Sequence, residues 1–503
     1  MSTNADDSLG RLLAMGDGLP VGGLLALHAR RDPGRAALII GEVRIGYAEL
    51  DARSTRRARM LAADDVRQGD FVTLALPNGA EFYETTFALW KLGAVPNMVS
   101  HRLPDAELAA IVDLVRPRLV VGPDPARLPG QRVVPAGRPI DESLSVEPLP
   151  EAISPHHRAL TSGGSTGRPK VIVMQKEGVW NPEVGFVGQV PGDVVLNPGP
   201  LYHSAPFIGT HAALFCGGTV GEMLKFDAEC ALELIDAHKV TWVNFVPTMM
   251  HRIWRLGDET RARFDLSSLR VVFHMAAPCP AWLKQAWIDW LGPERIFELY
   301  AGTEAQGGTV ITGSEWLEHR GSVGKPGAGA QIRVLDDAGQ DCAPREVGEI
   351  YFLPDAGQGS TYRYLGAEAK AQGEWETLGD LGWFDEDGYL YLSDRRKDLI
   401  LSGGANIYPA EVEAALDSHP EVRSSIVVGL PDDDWGQRVH AFVEADPARL
   451  CAEELIAHVA TRLARYKLPK TIEFTDQPLR DDAGKARRSA LAAAFDHQTG
   501  GNA

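Results

Sequence analysis

Residues 71–122 read FVTLALPNGAEFYETTFALWKLGAVPNMVSHRLPDAELAAIVDLVRPRLVVG. The short apolar runs FVTLAL, VPNMVS and RLVVG alternate with two longer amphipathic ones, AEFYETTFALWKLGA and DAELAAIVDLV. Runs of four to six apolar residues suit buried strands, and apolar residues three and four apart suit helices packed on a sheet. The order strand, helix, strand, helix, strand implies parallel strands joined by right-handed crossovers. The rhythm returns downstream as AECALELIDAHK, VTWVNFV, LRVVFHM, AWLKQAWIDWL and RIFELYA, so the chain up to about residue 320 reads as α/β.

Beyond Gly321 the texture changes to short strands punctuated by glycine, GEIYFLP and GYLYLSD, as in a small β-barrel or meander. After Lys397 it changes again, to one helix (PAEVEAALDSH), two strands (SSIVVGL, HAFVEA) and a second helix (AEELIAHVATRLARY), a compact α+β unit. The 503 residues exceed what one core usually supports, so at least two globular units are expected. A net charge of −18 argues against extended nucleic-acid binding or an anionic membrane surface, both of which need a basic stripe. The five cysteines are scattered with no C-x-x-C pair, which suggests neither a zinc site nor a disulfide framework and fits a reducing cytoplasm. The stretch Met1–Gly10 is polar and acidic, unlike a secretion signal, and no apolar run reaches membrane-spanning length.

The first chemical signal is Ser162-Gly163-Gly164-Ser165-Thr166-Gly167-Arg168-Pro169-Lys170. Glycine lets backbone approach an anion, hydroxyls donate hydrogen bonds and lysine supplies charge. It is not a Walker loop, because Arg168 and Pro169 separate Gly167 from Lys170, and alone it could equally be a surface hairpin loop. Further on come Tyr300-Ala301-Gly302-Thr303-Glu304 directly after a strand, TLGDLGWFDEDGYL with Asp380, and SDRRKDLILSGGANIYPAEVE ending at Glu413. Taken singly these are a helix cap, a turn residue and solvated charges.

In this order, and over nearly the whole chain from about Leu24 to Leu491, they resemble the adenylate-forming superfamily of acyl-CoA synthetases, nonribosomal-peptide adenylation domains and luciferases. The resemblance implies a large N-terminal domain, residues 1–396, of parallel α/β subdomains plus a small β-barrel. A small mobile α+β domain, 397–503, would follow it, with Lys397 at the hinge. It implies a phosphate loop of Ser162, Gly163, Gly164, Ser165, Thr166, Gly167 and Lys170. Nucleotide would be held by Ala276, Ala277, Pro278, Tyr300, Ala301, Gly302 and Thr303, with Asp380 and Arg395 on the ribose. Glu304 would hold Mg²⁺, a hard ion suited to carboxylate and phosphate. Lys485, Thr303, Glu304 and His203 would be the catalytic residues, and Gly403 and Gly404 would line a tunnel for the thiol arm of coenzyme A. By the same resemblance His203, Phe207, Asn244, Val246, Pro247 and His274 would form the acyl pocket.

The chemistry implied has two steps: a carboxylate attacks the α-phosphate of ATP to give acyl-adenylate and pyrophosphate, and the thiol of coenzyme A then displaces AMP. The co-substrates expected are a small-molecule carboxylic acid, ATP or a ready-made acyl-adenylate, and coenzyme A. No nucleic-acid or membrane partner is expected, and a homodimer is left open. The double-glycine loop and the PLYH segment resemble ligases of bulky polycyclic acids such as bile or terpenoid acids, with aromatic and medium-chain fatty acids as further options.

The chain departs from the family pattern in two places. Val171 stands where Gly is common, which should alter only strand packing. Before Lys485, where neutral residues are usual, the chain has Asp481 and Asp482. A carboxylate about 8 Å from the phosphates, at an effective dielectric of about 20, costs roughly 2 kcal/mol per charge pair, or about thirtyfold in rate. Adenylation would then be weak or lost, leaving an enzyme of the thioester-forming step alone. The other expectation is that both aspartates face solvent or pair with Arg487 and Arg488. A non-catalytic relative would be expected to lack Glu304 or Lys485, and both are present.

Overall fold

The computed structural model describes residues 18–163, 169–402, 405–432, 434–481, 484–486, 488, 490–492 and 495. Every element read from residues 71–122 forms: strands Phe71–Leu74, Val95–Met98 and Leu119–Gly122, and helices Ala80–Lys91 and Asp105–Val115. The single rhythm, however, builds two sheets. In the first, Phe71–Leu74 lies parallel to both Val95–Met98 and Leu119–Gly122, and Val95–Met98 lies parallel to Ala159–Gly163. The antiparallel strands Pro169–Met174 and Tyr362–Leu365 complete that side.

In the second sheet Ala36–Ile40, Thr219–Glu222, Val194–Asn197, Trp242–Phe245, Val271–His274 and Ile296–Ala301 run parallel in that spatial order. Gly308–Thr312 and Ser322–Pro326 then turn antiparallel and carry the sheet on into Leu390–Arg395, Trp375–Phe384, Gly348–Pro354 and Ala330–Leu335. These are the strands expected beyond Gly321. They are continuous with the parallel strands and cover their own small core of Val323, Val334, Ile350, Phe352 and Leu390.

Helices Ala80–Lys91 and Ser204–Phe215 lie between the two sheets, with Trp90 and Phe82 both set edge-on to Phe207. Their core takes Leu74 and Met98 from the first sheet and Val195, Val220, Trp242 and Phe273 from the second. The opposite face of the second sheet, through Val243, Phe245 and Val272, meets the helices Ala228–His238, Pro247–Trp254 and Ala281–Leu291. Val171 is fully buried and takes part in the core of the first sheet, as a packing residue should.

The change to a third sheet falls across the short turn Arg396–Asp398. Here Ser424–Asp432 and Gly436–Glu444 pair antiparallel, and Thr471–Thr475, absent from the sequence reading, adds a parallel strand. The second helix expected here ends at Ala460. No helix among the described residues is long and apolar enough to cross a membrane.

Where the C-terminal edges of the first two sheets meet, the buried Glu222 carboxylate accepts from Tyr83 and from Asn197 and Asn78, the last two at 2.8 and 2.7 Å. Burial pushes this carboxyl up to about 8 against those hydrogen bonds. A folded-state pKa above the unfolded one means the folded protein holds the extra proton between about pH 4.5 and 8, so stability falls as pH rises through that window. The variant E222Q keeps an acceptor and cannot ionise. Its Tm relative to the parent should climb from about pH 5.5 to pH 8, and parallel Tm profiles would show that Glu222 titrates as an ordinary carboxylate.

Candidate active site

The segment after strand Ile296–Ala301 leaves the C-terminal edge of the second sheet, where open α/β sheets bind ligands. Glu304 is 5% exposed, and its Oε1 accepts from the Tyr364 hydroxyl at 2.6 Å and from Lys170 Nζ at 3.3 Å. Lys170 also donates to the Tyr364 oxygen at 2.8 Å. Burial, and then the Glu304 charge, pushes the Tyr364 phenol well above its usual range, so it stays a donor. Thr303 is half-buried beside this cluster. Two alanines at this edge hold left-handed backbone, Ala276 at φ +77° and Ala305 at +53°. That conformation costs an L-residue about 1–2 kcal/mol, so packing must hold the turns in place.

Tyr300 Oη donates to Asp380 Oδ2 at 2.8 Å, which joins a flat ring to a buried carboxylate. Asp380 is in turn paired across the sheet with the backbone of Arg395. Ser162 and Gly163 stand opposite Lys170 and Pro169 in an antiparallel register, on the two strands that flank the rest of the glycine-rich run in sequence. Gly164, Ser165, Thr166, Gly167, Gly403, Gly404 and Asp482 lie outside the described residues, as do the side chains of Ser162, Arg395 and Lys397.

His203 precedes helix Ser204–Phe215, and its Nε2 is buried with no hydrogen-bond partner among the described residues. Burial, and secondarily the charge of Lys485, pushes this imidazole down to about 3, so it is neutral at ordinary pH. Lys485 therefore reaches the N-terminal unit. The turn before it seats there too: a Cβ placed on Gly484 would lie 3.1 Å from Thr248 Oγ1 and 3.5 Å from Val246 Cγ2. Arg255 donates to the Val422 carbonyl, and the His251 ring bonds the backbone of Arg423, which adds two more contacts between the units. Within the C-terminal unit Glu413 holds the turn by accepting from Arg480 at 2.9 Å and Arg488 at 2.7 Å.

The turn before Lys485 meets Val246 and Thr248, and the Lys485 charge acts on His203, with Asn244 on the strand that leads to Val246 and Phe207 on the helix after His203. The structure does not bring His274 to them. Asn244 stands opposite Phe273, so His274 is opposite Phe245 and faces the other way. There it is fully buried, 3.9 Å from Glu298, which accepts from Lys284 at 2.5 Å. Burial drives the His274 imidazole down to about 4. The exposed segment Ala276-Ala277-Pro278 follows it at the sheet edge. The sequence reading passed over Tyr364. In STYRYLG the alternation reveals a strand but not a partner nearly two hundred residues upstream.

Asp481 is exposed, and its Oδ1 accepts the Lys485 backbone N–H at 2.9 Å. Its own backbone N–H meets the Lys485 carbonyl at 3.0 Å. Arg488 Nη2 is engaged by Glu413, and Asp482 and Arg487 lie outside the described residues.

With this geometry established, the comparisons with known proteins are direct. The AMP-binding enzyme family matches residues 25–358 and the AMP-binding enzyme C-terminal domain matches 411–485. The chain is 34% identical over 488 residues to a feruloyl-CoA synthase of an Amycolatopsis species, covering 93% of this chain and 97% of the relative. It is 33% identical to the 2-succinylbenzoate–CoA ligase of Geobacillus kaustophilus, covering 91% and 95%. Among solved structures, the o-succinylbenzoate CoA synthetase of Bacillus subtilis in complex with its acyl-adenylate intermediate superposes with a TM-score of 0.81 at 28% identity, over 94% of this chain and 98% of that one. The chain belongs to the AMP-binding enzyme family.

The Asp481 carboxylate holds the turn that presents Lys485. D481A should therefore slow acid-dependent pyrophosphate release about three- to tenfold while D481N, which keeps an acceptor, stays near the parent rate. A rise in rate for either variant would restore the repulsion account.

Proposed function

We propose that this protein is an ATP-dependent, AMP-forming acid–thiol ligase that activates a hydrophobic aromatic carboxylic acid as its adenylate and passes the acyl group to coenzyme A. The observation that carries this reading is the seating of the turn Asp481–Lys485 against Val246–Thr248, with Lys485 acting on His203. A lysine from the C-terminal unit then stands where a carboxylate entering the pocket would meet it.

In this reading the Tyr300 ring takes the adenine, and Asp380, joined to it by the 2.8 Å hydrogen bond, accepts from the ribose hydroxyls with Arg395 alongside. The glycine-rich run from Ser162 to Lys170 covers the phosphates, and Thr303 bonds the α-phosphate. Glu304 suits a divalent hard cation, since Lys170 and Tyr364 fix its Oε1 and so orient a second carboxylate oxygen. Mg²⁺ there, together with the nucleotide, would supply neutralisation of phosphate charge. Lys485 is a compact mobile cation that balances charge on both attacking and leaving oxygens, so catalysis rests on positioning and electrostatics. Neutral His203 can offer a ring N–H to the entering carboxylate, with Lys485 supplying the positive charge. Lys397 then serves as the hinge between domains 1–396 and 397–503, and Gly403 and Gly404 pass the thiol arm. The five free cysteines suit a cytoplasmic setting.

The names of the relatives, ferulate and succinylbenzoate ligases, support an aromatic acid. None of the three is a bile-acid or terpenoid-acid enzyme, so the proposal is a benzoic- or cinnamic-type acid instead of a polycyclic one. K485A should cut acid-dependent pyrophosphate release about 100-fold or more and leave thioester formation from a supplied acyl-adenylate within about threefold of the parent. Equal losses in both half-reactions would contradict the role given to Lys485.

A further inference from the structure

Three strands of the second sheet place a row of polar side chains on one face at their C-terminal ends. Glu222 stands opposite Asn197, and Leu196 stands opposite Val243, so Asn197 and Asn244 are neighbours in turn, followed by Phe273. The first two members of the row are saturated. Glu222 accepts from Tyr83, Asn78 and Asn197, and the Asn197 oxygen accepts from the Gly199 N–H at 3.3 Å.

Asn244 is different. It is 7% exposed, and its Oδ1 is buried with no hydrogen-bond partner among the described residues. Buried polar atoms in folded proteins are almost always paired, and an unpaired one bears its whole desolvation cost. Other buried atoms among the described residues also lack a partner, both nitrogens of His274 among them, but the Asn244 oxygen is set apart by its place at the C-terminal edge of the sheet beside the candidate site. On the same face, Trp242 lies 3.2 Å from where a Cβ on Gly209 would stand, so helix Ser204–Phe215 covers this face directly. Asn244 is one strand alternation nearer the sheet edge, the edge where that helix begins at His203, whose Nε2 is also buried with no partner among the described residues. Two residues further along the chain, Val246 meets the turn that carries Lys485. Phe273, beside Asn244 on this face, and Phe207, on the covering helix, make the surrounding core apolar.

We infer that Asn244 is a specificity residue that hydrogen-bonds a hydroxyl group on the ring of the acid, so that the preferred substrates are hydroxylated aromatic acids. The inference rests on the acid-activating reading above. An amide can turn either its carbonyl or its NH2 towards the ligand, and a hydroxyl satisfies both, whereas an alkyl chain or bare ring leaves the amide unmatched. A site built to bond a hydroxyl rejects the analogue lacking it far more strongly than an apolar pocket rejects an added one.

The test compares pairs of benzoic and cinnamic acids that differ by a single ring hydroxyl, reading kcat/KM for thioester formation. The parent should favour the hydroxylated member of at least one pair by about 10- to 100-fold. N244L, close in volume and without polar atoms, should bring that ratio to near one or invert it, and N244S should keep part of it. Equal kcat/KM for both members of every pair in the parent overturns the inference without needing any variant, as does an undiminished ratio in a folded N244L. Absence of thioester from every acid overturns the ligase reading along with it.

Discussion

The buried carboxylate of Glu304 is the constraint on which the site depends. It comes from the turn after a second-sheet strand, yet its partners Lys170 and Tyr364 sit on adjacent strands of the first sheet. Tyr364 itself arrives from the far end of the chain by way of the antiparallel strands. A carboxylate this buried needs its counter-charge, and deleting one partner of such a pair typically costs about 3–5 kcal/mol. The cluster therefore does two jobs. It joins the two sheets at this edge, and it ties the strand that carries Lys170 to the Thr303-Glu304 turn and the strained Ala305.

From that fixed floor the remaining parts follow by topology. Parallel strands send their C-terminal ends to one edge, so Asn197, Glu222, Asn244 and the Tyr300 segment gather without being near in sequence. The C-terminal unit brings Lys485 to this edge, on a turn seated against Val246 and Thr248. Glu413 anchors its turn from behind through Arg480 and Arg488, and Asp481 shapes it from within. Of the two acidic residues that by sequence alone could have opposed the phosphates, Asp481 is, in the fold, part of the lysine's own turn.

Much of this was legible in the chain. Residues 71–122 alternate so cleanly that each strand and helix can be placed, because burial imposes a period on the sequence. Of the motif residues, Lys170 and Glu304, and likewise Tyr300 and Asp380, meet in the fold although they stand far apart in sequence. Pairing between distant strands leaves no local mark, so the rhythm did not tell which strands share a sheet, and Tyr364 was invisible. His274 shows the finest limit. Strand side chains alternate faces, so a register of one residue separates a pocket wall from a core position. Grouping His274 with Asn244 required that register, which only the fold supplies.

The most direct test of the account is to incubate the protein with Mg·ATP and benzoic- and cinnamic-type acids in the absence of coenzyme A, and to look by mass spectrometry for acyl-adenylate with matching pyrophosphate. The account predicts that an adenylate accumulates with at least one aromatic acid and is converted to thioester when coenzyme A is added. Thioester formed from a supplied adenylate, with no adenylate ever made from ATP, would contradict it.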